Sequence, residues 1–310
     1  MNKLTSQNQL ANFYKDNVGQ YIILNETNPS YGLAQGGMKA INEDQFNSLK
    51  SASEILYEFN LFRRKKEEIE MNYFDVQNFT EEWKEKLKNA EGQNSTHLQE
   101  PAFIDCNRRL TNFIASFKTL IYDIIHIKYV GSKLYGTESD QFKWFKDRTK
   151  TWFDGHFAYR FFIRLRDYSI HSAMPVQIVH FKYDYDEKRN EKININVESK
   201  FRKSTFLESS KFNVLRKDFE SYGDEFPLWP IMRDVEPLFE QILDAVIQVT
   251  GDRYINAAKT IFNLVSDIPN PVTLSFGQIV QASESEYGVN SEIININTLN
   301  KIFEIQERLK

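Results

Sequence analysis

Apolar residues spaced three and four positions apart dominate the middle of this chain and predict an amphipathic helix there. The apolar positions are Leu110, Phe113, Ile114, Phe117, Ile121, Ile124 and Ile125. Turn-forming residues are scarce, because the 310 residues include only 12 Gly and 8 Pro against 25 Phe and 15 Tyr. That balance argues against disorder and against a loop-rich sandwich or barrel. We therefore expect a folded, mainly α protein built on a helical bundle.

Local composition divides the chain into two predicted domains. This number agrees with the average of about 150 residues per domain. Residues 1–98 combine a strand-like run at 21–24, a turn-rich segment, a helix from about Asn42 and a second helix over 80–90 with Thr80 as its N-cap. A polar stretch that ends at Pro101 follows and indicates a linker. We expect a small α+β region at 1–98, of unknown role, and a helical domain at 99–310.

The second domain contains one predicted interruption by β-structure. A helical stretch covers 140–173 with a kink at Gly155, and Pro175 prevents it from continuing. Two alternating β-prone runs near 176–198 then predict a β-hairpin insertion. Helices are expected again over 207–222 and 231–264, and the tail suggests a strand at 291–297 and a helix at 299–309.

Positive charge is concentrated in one segment although the whole chain carries a formal net charge of −4. Residues 141–166 contain seven bases, two acids and nine aromatic residues. Interleaved cations and aromatic rings suit a single-stranded nucleic acid, whose phosphates need positive charge and whose bases stack. The alternative is an amphipathic helix with a solvated basic face, which is the more common origin of a charge run.

Helical spacing predicts a candidate catalytic group within this segment. His156, Arg160, Arg164, Asp167 and His171 fall close to one line along a helix. Asp167 precedes His171 by four residues, so its carboxylate can fix the imidazole tautomer and prepare a general acid or base. Arg166 lies about 140° from His171 on an ideal helix. Both side chains can face one substrate only if the helix ends or distorts around residues 169–170.

The run Arg166-Asp167-Tyr168-Ser169-Ile170-His171 resembles the Arg, polar residue, three residues, His motif of the HEPN superfamily (higher eukaryote and prokaryote nucleotide-binding domains). The resemblance covers roughly residues 103–264. It implies an all-α bundle, and many such proteins are metal-independent ribonucleases that act as toxins or antiphage abortive-infection effectors. Two motifs often meet across a homodimer in that superfamily. The helix that begins near Arg109 looks like the helix that faces the motif.

The resemblance implies a site that cleaves RNA by attack of the ribose 2′-hydroxyl on the adjacent phosphate. His171 would be the acid/base residue, Arg166 the phosphate-stabilising residue and Asp167 the orienting residue. The further residues expected to contact RNA are Arg160, Arg164, Lys150, Arg109 and Asn112. A non-catalytic HEPN-like module that binds a nucleotide or a protein is the alternative. An inhibitor or trigger protein is a further possible partner.

No cofactor or metal is expected, because the sequence contains no His-Glu-x-x-His motif. Cys106 is the single cysteine, which excludes an internal disulfide and indicates a reducing, cytoplasmic setting. The most apolar stretch contains charged residues, including Lys118, and no signal peptide is evident, so we expect no membrane partner. The run from Phe226 to Pro230 most simply packs at the start of a helix, with a peptide-docking surface as the alternative.

Overall fold

A computed structural model of the chain describes residues 7–26, 38–90, 95–171, 174–186, 191–268, 273–281 and 287–310. The helices are α1 (Gln7–Asp16), α2 (Glu43–Asn89), α3 (Gln99–Lys118), α4 (Asp140–Gly155), α5 (Phe157–His171), α6 (Lys203–Leu207), α7 (Arg216–Phe219), α8 (Leu228–Val235), α9 (Leu238–Thr250), α10 (Arg253–Val265) and α11 (Ile296–Leu309). The strands are β1 (Tyr21–Glu26), β2 (Met38–Ile41), β3 (Ile178–Asp186), β4 (Glu191–Arg202), β5 (Glu225–Pro227), β6 (Thr273–Gln281) and β7 (Tyr287–Asn295). The fold is mainly α, as expected.

The chain forms two compact units, Met1–Leu61 with Thr250–Lys310, and Phe62–Val249. Helix α2 has residues in both units. The predicted boundary between residues 98 and 99 lies within the second unit. No helix among the described residues is both long and apolar enough to cross a membrane.

The first unit contains an antiparallel sheet of order β2-β1-β6-β7. Tyr21 of β1 pairs with Ile41 of β2 on one side and with Gln278 of β6 on the other. The sheet therefore joins strands from the two ends of the chain. Ile22 and Ile279 are fully buried in it, and Phe13 of α1 packs against this pair.

Helix α2 is one continuous helix of 47 residues, whereas the sequence predicted two helices with an N-cap at Thr80. The prediction of two helices was wrong, because the helix continues through the charged run from Arg63 to Glu68 and past Thr80. The members of this run lie mostly on the outer face, where Arg63 pairs with Glu67 one turn away and Lys65 with Glu68. The inner face stays buried throughout: Leu49, Ala52, Leu56, Phe59, Phe62, Lys66, Ile69, Tyr73, Val76, Phe79, Trp83 and Leu87.

Helices α3 and α5 pack against each other through aromatic rings in the second unit. Phe113 contacts Phe162 with ring centroids 5.3 Å apart, and Phe117 contacts Tyr159 at 5.6 Å. A π-helical segment, Thr119–Leu134, continues α3 before α4. The expected kink near Gly155 is a break at His156, which has an extended backbone between α4 and α5.

The predicted hairpin is present as β3 and β4, which pair antiparallel from Ile178 with Lys200 to Asp186 with Glu191. A third strand, β5, pairs with the end of β4. Phe201 of β4 and Phe226 of β5 are buried against Phe161 of α5. The hairpin is therefore anchored to the helix that carries the candidate motif.

Candidate active site

The buried face of α5 determines which of its polar side chains reach the surface. Tyr159, Phe162 and Leu165 are buried, and Tyr168 packs against Phe206 and Phe212 at 5.8 and 5.6 Å. Arg166 and Asp167 lie between these positions, and their side chains are 29% and 28% exposed. The helix thus presents both residues at the border between core and solvent near its C-terminal end.

Asp167 is the centre of a cluster of cations. Its Oδ1 atom accepts a hydrogen bond from Nζ of Lys118, at the end of α3, and lies 3.4 Å from a guanidinium nitrogen of Arg166. Its backbone carbonyl accepts a hydrogen bond from Nζ of Lys211. Three cations and one carboxylate leave an excess of two positive charges. This arrangement, named here the Asp167 cluster, attracts an anion such as a phosphate.

The charge state of Asp167 follows from these neighbours. Burial works to raise the pKa of its carboxyl group, but the cations of Lys118 and Arg166 outweigh burial and hold the pKa below its usual value. Asp167 is therefore ionised at neutral pH. Its carboxylate fixes the positions of Lys118 and Arg166, in addition to any role toward His171.

His171 is the last residue of α5, and its side chain lies outside the part of the chain that the structure describes. The backbone remains helical through residues 169–170. The end or distortion that would let Arg166 and His171 face one substrate is therefore not present there. Ser169 donates to the carbonyl oxygen of Arg166 at 3.0 Å within this turn. The Cα–Cβ directions of Arg166 and His171 consequently stay about 140° apart.

Arg160 is engaged inside the fold. Its guanidinium donates to the carbonyl oxygens of Phe153 and Asp154 at 2.7 and 2.6 Å, and to Asp218 at 2.7 Å. These bonds satisfy carbonyls in the last turn of α4, which a helix otherwise leaves unpaired. Arg160 therefore closes the break between α4 and α5.

Arg164 lies over an aromatic ring. Its guanidinium carbon is 5.6 Å from the ring centroid of Phe153. The Nε atoms of Arg164 and Arg166 are buried and have no hydrogen-bond partner among the described residues. The two arginines thus differ from Arg160, whose guanidinium closes the end of a helix.

Arg109 is buried, with a side chain only 6% exposed. It forms ion pairs with Asp75 and Asp105, both at 3.1 Å, and with Glu82. Burial works to lower the pKa of Arg109, but these carboxylates raise it above its usual value. The geometry gives Arg109 a structural role between α2 and α3.

Asn112 is exposed and lines a groove on the same side of α3. In this groove Asn72 of α2 donates to Ser116 at 3.1 Å. The polar stripe of α3 therefore faces α2, whereas its apolar stripe faces α5. Lys118, next to the apolar residue Phe117, is the α3 residue that reaches the motif.

Lys150 belongs to an exposed row of lysines on α4, with Lys146 one turn and Lys143 two turns earlier. The ammonium groups of these three lysines form no hydrogen bond or ion pair with another described residue. Trp144 beside them is 39% exposed. This surface, the α4 lysine row, combines free cations with an accessible aromatic ring.

Sequence reasoning did not select Lys118 and Lys211 as site residues. Lys118 could have been found from its place at the end of the helix predicted to face the motif. Lys211 lies 44 residues from Asp167 in a 3₁₀ turn, Ser210–Leu215, and no local pattern marks it. Among the described residues, no group of His, Cys, Asp and Glu side chains is arranged to hold a metal ion.

The chain matches no protein-family model, no curated protein and no solved structure. The resemblance to the HEPN superfamily thus rests on the sequence motif alone.

Proposed function

We propose that this chain is a metal-independent endoribonuclease of the HEPN type, acting in the cytoplasm as a toxin or antiphage abortive-infection effector. The observation that carries the proposal is the Asp167 cluster, which places an excess of positive charge beside a helix that ends at His171. The α4 lysine row supports it, because a strand of RNA needs cations and stacking surfaces beyond the cleavage site.

In the proposed reaction, the ribose 2′-hydroxyl attacks the adjacent phosphorus and displaces the 5′-oxygen of the next nucleotide. His171 takes the proton of the hydroxyl group and a general acid protonates the leaving oxygen. Arg166, oriented by Asp167, stabilises the negative charge that develops on the phosphate oxygens. The products are a 2′,3′-cyclic phosphate and a 5′-hydroxyl end. No step in this sequence calls for a metal ion.

The test compares wild type, His171→Ala and His156→Ala on mixed RNA, with and without a chelator. His156 is an exposed histidine at the break between α4 and α5 and serves as the matched control. We expect the wild type and His156→Ala to cleave RNA with or without the chelator, and His171→Ala to lose cleavage while its fold and oligomeric state are unchanged. Full activity of His171→Ala would refute the proposal.

A second candidate is a non-catalytic module that binds a nucleotide or a partner protein, including an inhibitor or trigger. The internal engagement of Arg160 and Arg109 favours it, because these two arginines are already used by the fold. Under this function, wild type and His171→Ala would bind RNA or nucleotide equally and neither would cleave it.

A further inference from the structure

The last turn of α5 carries His171, and the ends of helices fray unless other groups hold them. The final carbonyl oxygens of a helix have no partner within it, and the aligned peptide dipoles leave partial negative charge there. A cation at this end therefore stabilises the last turn. Ser169 donates to the carbonyl oxygen of Arg166 from within the helix, and Lys211 donates to that of Asp167 from outside it.

The hydrogen bond from Lys211 reaches the backbone exactly one turn before His171. Its ammonium group donates to the carbonyl oxygen of Asp167. In an α-helix the same oxygen accepts the backbone N–H four residues later, which is the N–H of His171. A carbonyl oxygen has two lone pairs, so it can accept both hydrogen bonds. The ammonium group of Lys211 and the amide of His171 therefore share one acceptor atom.

The position of Lys211 is fixed by the 3₁₀ turn Ser210–Leu215. Its neighbour Phe212 is fully buried, and the ring of Phe212 packs on Tyr168 of α5 with centroids 5.6 Å apart. The side chain of Ser209 caps the turn by accepting the backbone N–H of Lys211 at 3.4 Å. The turn that carries Lys211 is therefore anchored directly to the helix that carries the candidate motif.

The chain is held again after α5 ends. Asn107 of α3 is buried, accepts the backbone N–H of Val176 at 2.8 Å and donates to the carbonyl oxygen of Val176 at 3.1 Å. Val176 follows His171 by five residues. His171 therefore lies between two anchored points of the backbone, Asp167 before it and Val176 after it.

We propose that Lys211 is a positioning residue, which holds the last turn of α5 and thereby keeps His171 in place for the proposed RNA cleavage. The inference rests on the proposed function. Lys118 acts differently, because it contacts the side chain of Asp167, whereas Lys211 contacts the backbone of the helix. Loss of Lys211 should therefore leave phosphate binding by Arg166 intact and lower the rate of the chemical step.

Three variants separate the effect of Lys211 from a general change of charge. Lys211→Met removes the cation while the side chain keeps a similar length, and Lys211→Arg restores a cationic donor. Lys217→Met is the matched control. Lys217 is an exposed lysine of α7, six residues later, and its ammonium group has no hydrogen bond or ion pair among the described residues.

Residue-resolved amide hydrogen exchange tests the hold on the helix without RNA. We expect the amides of Ile170 and His171 to exchange about tenfold faster in Lys211→Met than in wild type. Exchange in Lys211→Arg and Lys217→Met should stay close to that of wild type. Unchanged exchange in Lys211→Met would overturn the proposal, because the last turn would then be held without Lys211.

Steady-state cleavage of a single-stranded RNA tests the effect on the reaction. We expect Lys211→Met to lower kcat about tenfold with KM unchanged, Lys211→Arg to recover most of the loss, and Lys217→Met to keep wild-type values. A raised KM with unchanged kcat would make Lys211 a phosphate contact and would overturn the proposal.

The same assay distinguishes failure of this inference from failure of the proposed function. A wild type that cleaves RNA with the same kcat and KM as Lys211→Met would refute the positioning role alone. A wild type that cleaves no RNA would refute the proposed function and, with it, the role of Lys211 in the reaction.

Discussion

At the scale of single residues, the contact between Lys118 and Asp167 gives the candidate site its most testable electrostatics. Both side chains are less than a third exposed, at 16% and 28%. Replacement of Lys118 by Met removes the cation that holds the carboxylate of Asp167 and Arg166 in place. We expect a loss of about 1 kcal/mol in the free energy of unfolding near pH 7, measured by urea denaturation. RNA cleavage should fall with it.

The pH dependence of that loss identifies its cause. The pKa of Asp167 is lower in the folded protein than in the unfolded chain, so the ion pair stabilises the fold fully above the unfolded-state pKa of about 4. This stabilisation disappears as the pH falls through the lower folded-state pKa. The difference between wild type and Lys118→Met should therefore be largest at neutral pH and vanish in strong acid. A difference that is independent of pH would indicate lost packing instead.

The sequence alone indicates the candidate motif, but it does not indicate which residues surround the motif in space. The four-residue spacing of Asp167 and His171 is a local property of the sequence, and on a helix it places the two residues about one turn apart. Lys118 and Lys211 are 49 and 44 residues away from Asp167 in the chain, and only tertiary packing brings them together. For the same reason Arg109 was expected at the RNA surface, whereas three carboxylates enclose it.

At the scale of elements, α4 carries the surface on which the proposed RNA binding can be tested separately from the proposed cleavage. Its three lysines are exposed and their ammonium groups have no partner among the described residues, so each can contact a phosphate. Replacing Lys143, Lys146 and Lys150 together by Gln should weaken single-stranded RNA binding. The slope of log affinity against log salt should fall by about 2, at roughly 0.7 for each lost phosphate contact.

A second triple variant provides the matched control for α4. Lys65, Lys84 and Lys88 lie on α2, and each pairs with a glutamate three residues away. Their replacement by Gln changes the net charge equally without touching the α4 lysine row. An equal loss of salt dependence in both variants would mean that RNA binding reflects overall charge and not this surface.

Elements were predictable from sequence where the apolar period was uninterrupted. The aromatic face of α5, the break before it and the hairpin after it follow local rules of helix and strand formation. The prediction of two helices for α2 was wrong, because one continuous buried face runs through its charged segment. One member of that face is Lys66, which reaches Glu70 and Glu240 at 2.6 Å and is therefore buried as an ion pair. A buried lysine cannot be distinguished from an exposed one by sequence alone.

At the scale of the whole molecule, the sheet of the first unit constrains how the chain can be divided. Strand β1 is hydrogen-bonded to β6, about 250 residues later, and no local pattern announces such a pairing. A fragment of residues 1–98, the domain expected from sequence, lacks β6 and β7. We expect this fragment to show helical circular dichroism without a cooperative thermal transition, whereas the full chain unfolds cooperatively. A sharp transition in the isolated fragment would contradict the shared sheet.

The geometry of α5 leads to a prediction about assembly. Because the helix continues to His171, the Cα–Cβ bonds of Arg166 and His171 in one copy lie about 140° apart around its axis. In the proposed homodimer we therefore expect Arg166 of one copy and His171 of another to act on one phosphate. Arg166→Ala and His171→Ala should each be inactive alone. A mixed dimer of the two variants retains one complete site out of two. Random exchange of subunits makes half of the dimers mixed. Mixing the variants should therefore restore up to about a quarter of wild-type RNA cleavage. No recovery in a mixture proven to exchange subunits would place both residues of the site in a single copy.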